Sequence, residues 1–322
     1  MKDGKPLRLR DFVRVEDFYF SVVGYRNERF IKALLRYVPD ASGDRVKDSQ
    51  RYRKLAHDEA IEYAKRLGMN YYREGLFYVP SDDVREIYKP EERLDEALEY
   101  EEVRKVVDFF STIPRVEMGV TGSRLIGLVG EESDVDFIVY GKWWFVAREK
   151  IKQGIKRGEI SEPDDYTWEF IYKKRKITLP YQIFVEHERR KYHRAFIGDT
   201  YFDLLYVRGY DEIKREIPEE KGIKLGKVEI EAEVLDDLYI FDYPAYYPVK
   251  HEEIKAVLSF THTFVGQVFR GEKLAARGDL EVINGDRYIV VGTRREVKDE
   301  YIVSLDFLKK RDLLNDFLKW KS

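Results

Sequence analysis

The sequence predicts an α+β protein of three successive regions, a prediction that rests on its length, its lack of repeats and the changes of hydrophobic period along it. At roughly 150 residues per domain, 322 residues make two or three domains, each long enough to bury its own core. No internal repeat or low-complexity segment is present, so boundaries come from period and from Pro and Gly punctuation. Strand and helix patterns mix over residues 1–97, which reads as an α+β region, and they alternate over 98–210, an α/β core. Residues 211–322 turn β-rich, as expected of a small antiparallel barrel or sandwich with a C-terminal helix.

In the first region the residues from Asp17 to Val38 alternate through DFYFSVVGY and ERFIKALLRYV around Arg26-Asn27, the pattern of two strands and a hairpin-like turn. HDEAIEYAKRLG then spells a helix, with Ala60, Ala64 and Leu67 at helical spacing and Gly68 as its stop. From Ser81 to Pro114 the chain is expected to be mostly helical, with Pro90 at a helix start and Val103, Val106, Val107 and Phe110 as a buried stripe. The middle region has strands at VEMGV and DVDFIVYG, a helix at WWFVAREKIKQGIKRG, and a hairpin of YHRAFIG with TYFDLLYVR about Gly198-Asp199. In the last region KVEIEAEV, DLYIFDY and VLSFTHTFVGQVF are β-rich, and Asn284-Gly285 between LEVI and DRYIVV is the strongest short-range hairpin signal available. An amphipathic helix, SLDFLKKRDLLNDFLKW, closes it by packing down Leu305, Leu308 and Leu313.

Composition narrows the class. Cysteine is absent, which excludes a disulfide scaffold, a thiolate metal site and a cysteine nucleophile. No apolar run approaches the roughly 18 residues of a membrane span, and MKDGKPLRLRDF lacks the apolar core of a signal peptide, so a soluble, cytoplasmic protein is expected. Charged residues make up 37% of the chain, while Asn and Gln occur four times each and Met three times, the balance expected of a thermophile. A net charge of −3 argues against a globally cationic nucleic-acid binder and leaves local basic patches open.

The chemistry concentrates in MGVTGSRLIGLVGEESDVDFIVYG, where an apolar strand runs into Gly122-Ser123, ten residues intervene, and Asp134-Val135-Asp136 opens a second strand. Side chains alternate across a strand, so Asp134 and Asp136 project from one face while Val135, Phe137 and Val139 point into the core. Two carboxylates so placed repel unless a hard cation lies between them. Magnesium suits the pair, because it keeps several waters and binds through one or two carboxylates plus substrate phosphates. Glycine at a strand-to-helix turn lets the backbone approach a phosphate, the N–H groups of a helix start face the anion, and the Ser123 hydroxyl adds a donor. A phosphate cradle facing a dicarboxylate is the layout of a triphosphate site. Arg124, directly after the cradle, is a candidate phosphate contact.

Activating a nucleophile beside a second metal asks for a third carboxylate, and Asp203 is the candidate. In TYFDLLYV, Phe202, Leu204 and Tyr206 share one face, leaving Asp203 on the other with Leu205 and Val207. Burying even a neutral polar group without a partner costs roughly 2–7 kcal/mol, so an acid in this strand needs a reason. Metal coordination is one, and pairing with Arg194 or Arg208 across the hairpin is another. Asp199, at the expected hairpin tip, is the lesser alternative for the third acid.

Together, GS, ten residues, DxD and a later strand Asp resemble the signature of the DNA polymerase β-like nucleotidyltransferase superfamily, and the chain is similar to its archaeal predicted nucleotidyltransferases from about Val103 to Val207. The resemblance implies a mixed sheet with flanking helices, an NTP substrate such as ATP, and two Mg²⁺ ions for which Mn²⁺ can substitute. It implies that Gly122 and Ser123 hold the triphosphate, that Asp134 and Asp136 ligate both metals, and that Asp203 ligates the metal activating an acceptor hydroxyl. The reaction implied is transfer of a nucleoside monophosphate with release of pyrophosphate. The sixty-six residues between Asp136 and Asp203 depart from the pattern and bear on the third ligand.

Between Lys142 and Arg194, fourteen Lys or Arg face eight Asp or Glu. The clusters Lys173, Lys174, Arg175, Lys176 and Arg189, Arg190 are candidates for nucleic-acid contact, with a solvated helix face as the competing reading. Trp143 and Trp144 suit either a base or the core, and the core is favoured. The five histidines show no zinc spacing, although His187 or His193 suits a phosphate. RGEKLAARGDLE around Gly271 suits a nucleic-acid loop, with plain β turns favoured. RNA is preferred as acceptor over a protein hydroxyl or a small molecule. The competing function is a catalytically inactive member of the fold that serves as a nucleic-acid or partner-binding scaffold. Oligomeric state is not legible in the sequence.

Overall fold

The computed structural model describes residues 5–73, 75–131, 133–292 and 299–321. The chain divides into two units, Met1–Ser161 with His193–Lys214 and Glu162–Tyr192 with Arg215–Ser322. No helix among the described residues is long and apolar enough to cross a membrane.

The first unit opens with β1 (Phe12–Val15), β2 (Phe18–Val22), β3 (Phe30–Pro39), β4 (Arg45–Lys47), β5 (Gln50–Lys54), α1 (His57–Arg66), β6 (Tyr72–Arg73), β7 (Leu76–Pro80) and β8 (Glu86–Tyr88). The strands form one antiparallel sheet ordered β4-β5-β3-β2-β1-β8, with β7 also on β3 and β6 on β7. Alternation splits the sheet's side chains between two cores. Val13, Phe20, Val22 and Leu35 pack with Ala60 and Ala64 of α1, whereas Phe12, Tyr19, Tyr37, Tyr52 and Tyr88 cluster with Leu125, Ile126 and Leu128. The stretch expected to be mostly helical opens with a single 3-10 turn at Ser81–Asp83 and then forms β8, because Tyr88 pairs with Phe12 of β1 and this partner outweighs the local pattern. Its α-helices are α2 (Leu94–Ala97) and α3 (Glu101–Phe109), and Pro90 lies in the turn before α2 rather than at a helix start.

The same unit continues with β9 (Met118–Val120), α4 (Ser123–Ile126), β10 (Val135–Tyr140), α5 (Trp143–Arg157), β11 (Arg194–Ile197) and β12 (Thr200–Val207). The sheet order is β11-β12-β10-β9; β10 and β12 are parallel and the outer pairs antiparallel, so the sheet is mixed. On one face Phe110 stacks on Phe137 at 5.2 Å and meets Phe202 edge-on at 5.8 Å. Burying each such ring contributes about 1.5–3 kcal/mol. Trp144 is fully buried and edge-on to Tyr206, a core side chain. Gly198-Asp199 is a two-residue turn, with Ile197 opposite Thr200.

The second unit contains α6 (Asp165–Arg175) and α7 (Tyr181–Arg189), which the sequence pattern did not single out, then β13 (Ile223–Val234), β14 (Ala245–Lys250), β15 (Ile254–Ser259), β16 (Lys273–Ile283), β17 (Asp286–Val291) and β18 (Tyr301–Ser304). Asp164 caps α6 by accepting from Thr167 N at 2.8 Å. The sheet order is β13-β14-β15-β17-β16-β18, and β13 also pairs with β16, so the pairings return on themselves. One pair departs from the antiparallel expectation: β15 and β17 run parallel, because the chain passes through β16 between them. Asn284 and Gly285, at φ +53° and +89°, make the expected two-residue turn. The closing helix is two pieces, α8 (Leu305–Lys310) and α9 (Leu314–Lys321), interrupted where Asp312 adopts φ +58°. Leu308 is buried, and Leu305 and Leu313 are half-buried.

Candidate active site

Strand register assembles the acids. In the parallel pair β10–β12, Asp136 lies opposite Asp203, on the face turned away from Phe137 and Phe202. Asp134 stands two residues before Asp136, just ahead of the strand. One carboxylate oxygen from each of Asp134, Asp136 and Asp203 lies within 4.8 Å of the other two. Asp134 is exposed and the other two are half-buried. Burial pushes the Asp136 carboxyl up to about 7, and the charges of Asp134 and Asp203 push the same way, against Arg10 and Lys54. Three converging carboxylates form an oxygen-only donor set, which fits Mg²⁺ or Mn²⁺ and disfavours softer metals.

Asp203 stands with the other two acids and also makes the cross-hairpin ion pair. Besides joining the acids, it faces Arg194 across β11–β12, with Arg194 Nε 3.1 Å from Asp203 Oδ1, and Tyr201 donates its hydroxyl to the same oxygen at 3.0 Å. Arg208 is buried against the Tyr25 ring, 4.3 Å from its centroid. Asp199 sits at the hairpin tip, 88% exposed, and pairs with Lys105 at 3.2 Å.

The glycine turn follows β9. Thr121 N donates to Asp136 O at 3.0 Å, tying the turn to the acid strand. Gly122 then takes φ +71° and ψ −143°, a conformation open to glycine alone, and a Cβ there would stand 2.6 Å from Asp136 Oδ2. Ser123 is buried at the start of α4, and Gly127, at φ +71°, ends that helix. Arg124 is buried as well: its guanidinium donates to Ser133 O at 2.8 Å and to Asp134 O, holding the backbone that carries the first acid.

Two residues that sequence reasoning missed hold this loop from the N-terminal sheet. Arg45 donates to Leu128 O at 2.7 Å, and Lys47 donates to Ile126 O at 2.8 Å, a cation at the carboxyl end of α4. Their spacing on β4 places both on one face, but such a pair in a short charged strand reads equally as solvated edge.

The basic candidates belong to the second unit. Lys173 pairs with Glu169 at 3.2 Å and Lys174 lies over the Phe170 ring, while Arg175 and Lys176 end α6. Arg189 pairs with Asp165 at 3.0 Å, and Arg190 pairs with Glu272 at 2.5 Å beneath the Phe269 and Phe307 rings. His187 is buried between Ile183 O and Ser304 N, and His193 accepts from Arg194 Nε at 3.1 Å.

Comparison with known proteins agrees with this geometry. A family model described as a nucleotidyltransferase domain matches residues 101–193, which include Asp134 and Asp136. An uncharacterized protein of Methanocaldococcus jannaschii is 38% identical over 339 residues, covering 92% of this chain and 98% of that relative. No solved structure matches the chain. With the domain matched on the glycine turn and the acid strand, and the relative matched along nearly its whole length, the chain belongs to the polymerase β-like nucleotidyltransferase superfamily.

Proposed function

We propose that the chain is a divalent-metal-dependent nucleotidyltransferase that moves a nucleoside monophosphate from an NTP to an acceptor hydroxyl and releases pyrophosphate. The observation that carries this reading is the convergence of Asp134, Asp136 and Asp203 within 4.8 Å beside the Gly122 turn. Bound divalent ions, Mg²⁺ with Mn²⁺ as substitute, supply charge neutralisation at the phosphates and at the acceptor oxygen. Asp134 and Asp136 would hold both ions, and Asp203, oriented by Arg194 and Tyr201, would hold the one that serves the acceptor hydroxyl. Gly122 and Ser123 grip the leaving phosphates. The protein's contribution is then mainly positioning and fixed charge. Asp134→Asn combined with Asp136→Asn should abolish NTP-dependent labelling of acceptor; labelling at the wild-type rate would refute the reading.

RNA is the acceptor we favour, supported by the exposed Lys173, Lys174 and Lys176 in a unit whose returning strand pairings we read as a small barrel. Charge reversal across Lys173, Lys174, Arg175 and Lys176 should remove electrophoretic binding to RNA, and binding that persists would exclude this acceptor surface. Incubation with four labelled NTPs, Mg²⁺ and a lysate of the source cell then reveals which macromolecule acquires label.

A further inference from the structure

The N-terminal sheet carries two cations whose placement no structural pairing explains. β2 and β3 pair Tyr19 with Tyr37 but Phe20 with Leu35, so Arg36 is the extra residue of a β-bulge. A bulge re-aims a side chain and is found preferentially beside active sites. Here Leu35 turns to the core around α1, whereas Tyr37 turns to the cluster with Leu125, Ile126 and Leu128. On the next strand Lys54 lies directly opposite Tyr37. Neither Arg36 nor Lys54 has a side-chain hydrogen bond or ion pair among the described residues.

Their electrostatic neighbours place them. Although solvent reaches Lys54, desolvation lowers its pKa and the Arg36 guanidinium lowers it further, while Asp136 and Asp134 pull it back up. Tyr37, between them, feels Arg36, Asp136 and Asp134 as well, and both Tyr37 and Lys54 also feel Arg45. Two like charges, on a strand pair whose Tyr37 packs against the glycine-turn helix, lose the counter-charge of Asp134 and Asp136 once a bound cation neutralises those carboxylates, as in the proposed function. The arrangement then wants an anion.

The side of approach identifies it. In the order β11-β12-β10-β9, β12 with Asp203 and β9 with the glycine turn flank β10 on opposite sides. The N-terminal sheet is fastened to the β9 side, through Lys47 on the last carbonyl of α4, Arg45 on the Leu128 carbonyl just after it, and the Thr121 hydroxyl on Arg10 O at 2.7 Å. Arg36 and Lys54 therefore flank the end of the site assigned to leaving phosphates rather than the acceptor end.

We propose that Arg36 and Lys54 form a polyphosphate-binding wall, supplied by the N-terminal sheet, that grips the β- and γ-phosphates of the nucleotide across from Gly122-Ser123. The inference rests on the nucleotidyltransferase reading, and the experiment separates the two. Titration calorimetry with inorganic tripolyphosphate and Mg²⁺ needs no choice of base. The wild-type chain should bind it, and Arg36→Gln with Lys54→Gln should weaken it at least tenfold while leaving Mn²⁺ affinity undiminished. The charge-preserving pair Arg36→Lys with Lys54→Arg should restore most of the binding. Wild-type tripolyphosphate affinity in the Gln variant overturns the wall, and so does a variant that loses only oligonucleotide binding, which would assign the cations to the acceptor. Parallel loss of Mn²⁺ affinity would reveal a structural role instead and also overturn it. Absence of any metal-dependent tripolyphosphate heat in the wild type sinks the parent reading along with the wall.

Discussion

The Asp136 carboxylate lies so close over Gly122 that a Cβ on the glycine would meet Asp136 Oδ2 at 2.6 Å. The glycine turn and the acid strand are thus one packed unit, joined also through Thr121 N and Asp136 O. Ten residues apart in sequence, the two halves of the GS…DxD pattern depend on each other's exact neighbours for their shape.

Gly122→Ala tests that dependence. The new methyl meets the carboxylate and the backbone at φ +71° suits no other residue, so strain of about 1–3 kcal/mol is expected. A fall in Tm of several degrees should accompany at least a tenfold loss of metal-dependent nucleotide binding. Unchanged calorimetric titrations with Mg²⁺ and a non-hydrolysable NTP would separate the turn from the acids.

Asp203→Asn probes the third acid. The amide retains the hydrogen bond from Tyr201 but removes the charge opposite Asp136 and Arg194. Because a bound ion is worth several kcal/mol of transition-state stabilisation, transfer should fall roughly 10²-fold or more while NTP affinity changes little. Single-turnover labelling measures the first quantity and calorimetry the second; equal loss of both would move Asp203 from the acceptor side to the nucleotide side.

The glycine turn and DxD strand were legible because their partners lie within one short stretch of sequence. Asp203 was legible as an acid misplaced in an apolar strand, but the register that sets it opposite Asp136 forms only when β10 and β12 pair. Arg36, Arg45, Lys47 and Lys54 were not legible at all. A basic residue on a short strand looks like solvated edge, and a bulge is a property of two strands that no single segment announces. The helix α6 was hidden by its exposed Tyr166 and Phe170, which blur the apolar stripe of Trp168 and Ile171.

Arg124 separates two roles that sequence spacing could not. Its guanidinium is committed to the carbonyls of Ser133 and Asp134, so Arg124→Lys, which keeps charge but loses the fork, should loosen the acid loop. The expected result is weaker Mn²⁺ binding, with NTP affinity recovered at saturating metal. A phosphate-contacting arginine would give the reverse: intact metal binding and weakened NTP at every metal concentration.

His187 makes stability depend on pH in the second unit. Its Nδ1 lies 2.8 Å from Ile183 O and its Nε2 accepts from Ser304 N at 3.2 Å, which assigns the neutral tautomer with the proton on Nδ1. Burial lowers its pKa to about 3, aided by Arg190 and Lys191 against the backbone bond to Ile183 and the charge of Glu188. A folded pKa below the ordinary 6.5 means that the unfolded chain binds the proton first, so the contribution is whole above 6.5 and drains as pH falls toward 3. At pH 5 the loss is about 2 kcal/mol. Urea unfolding at pH 8 and pH 5 should therefore show the wild-type chain losing about that much more than His187→Gln, which has no imidazole to charge. Equal acid losses in the two would mean that the folded unit accommodates the imidazolium, contrary to its burial against Phe307 and Ser304.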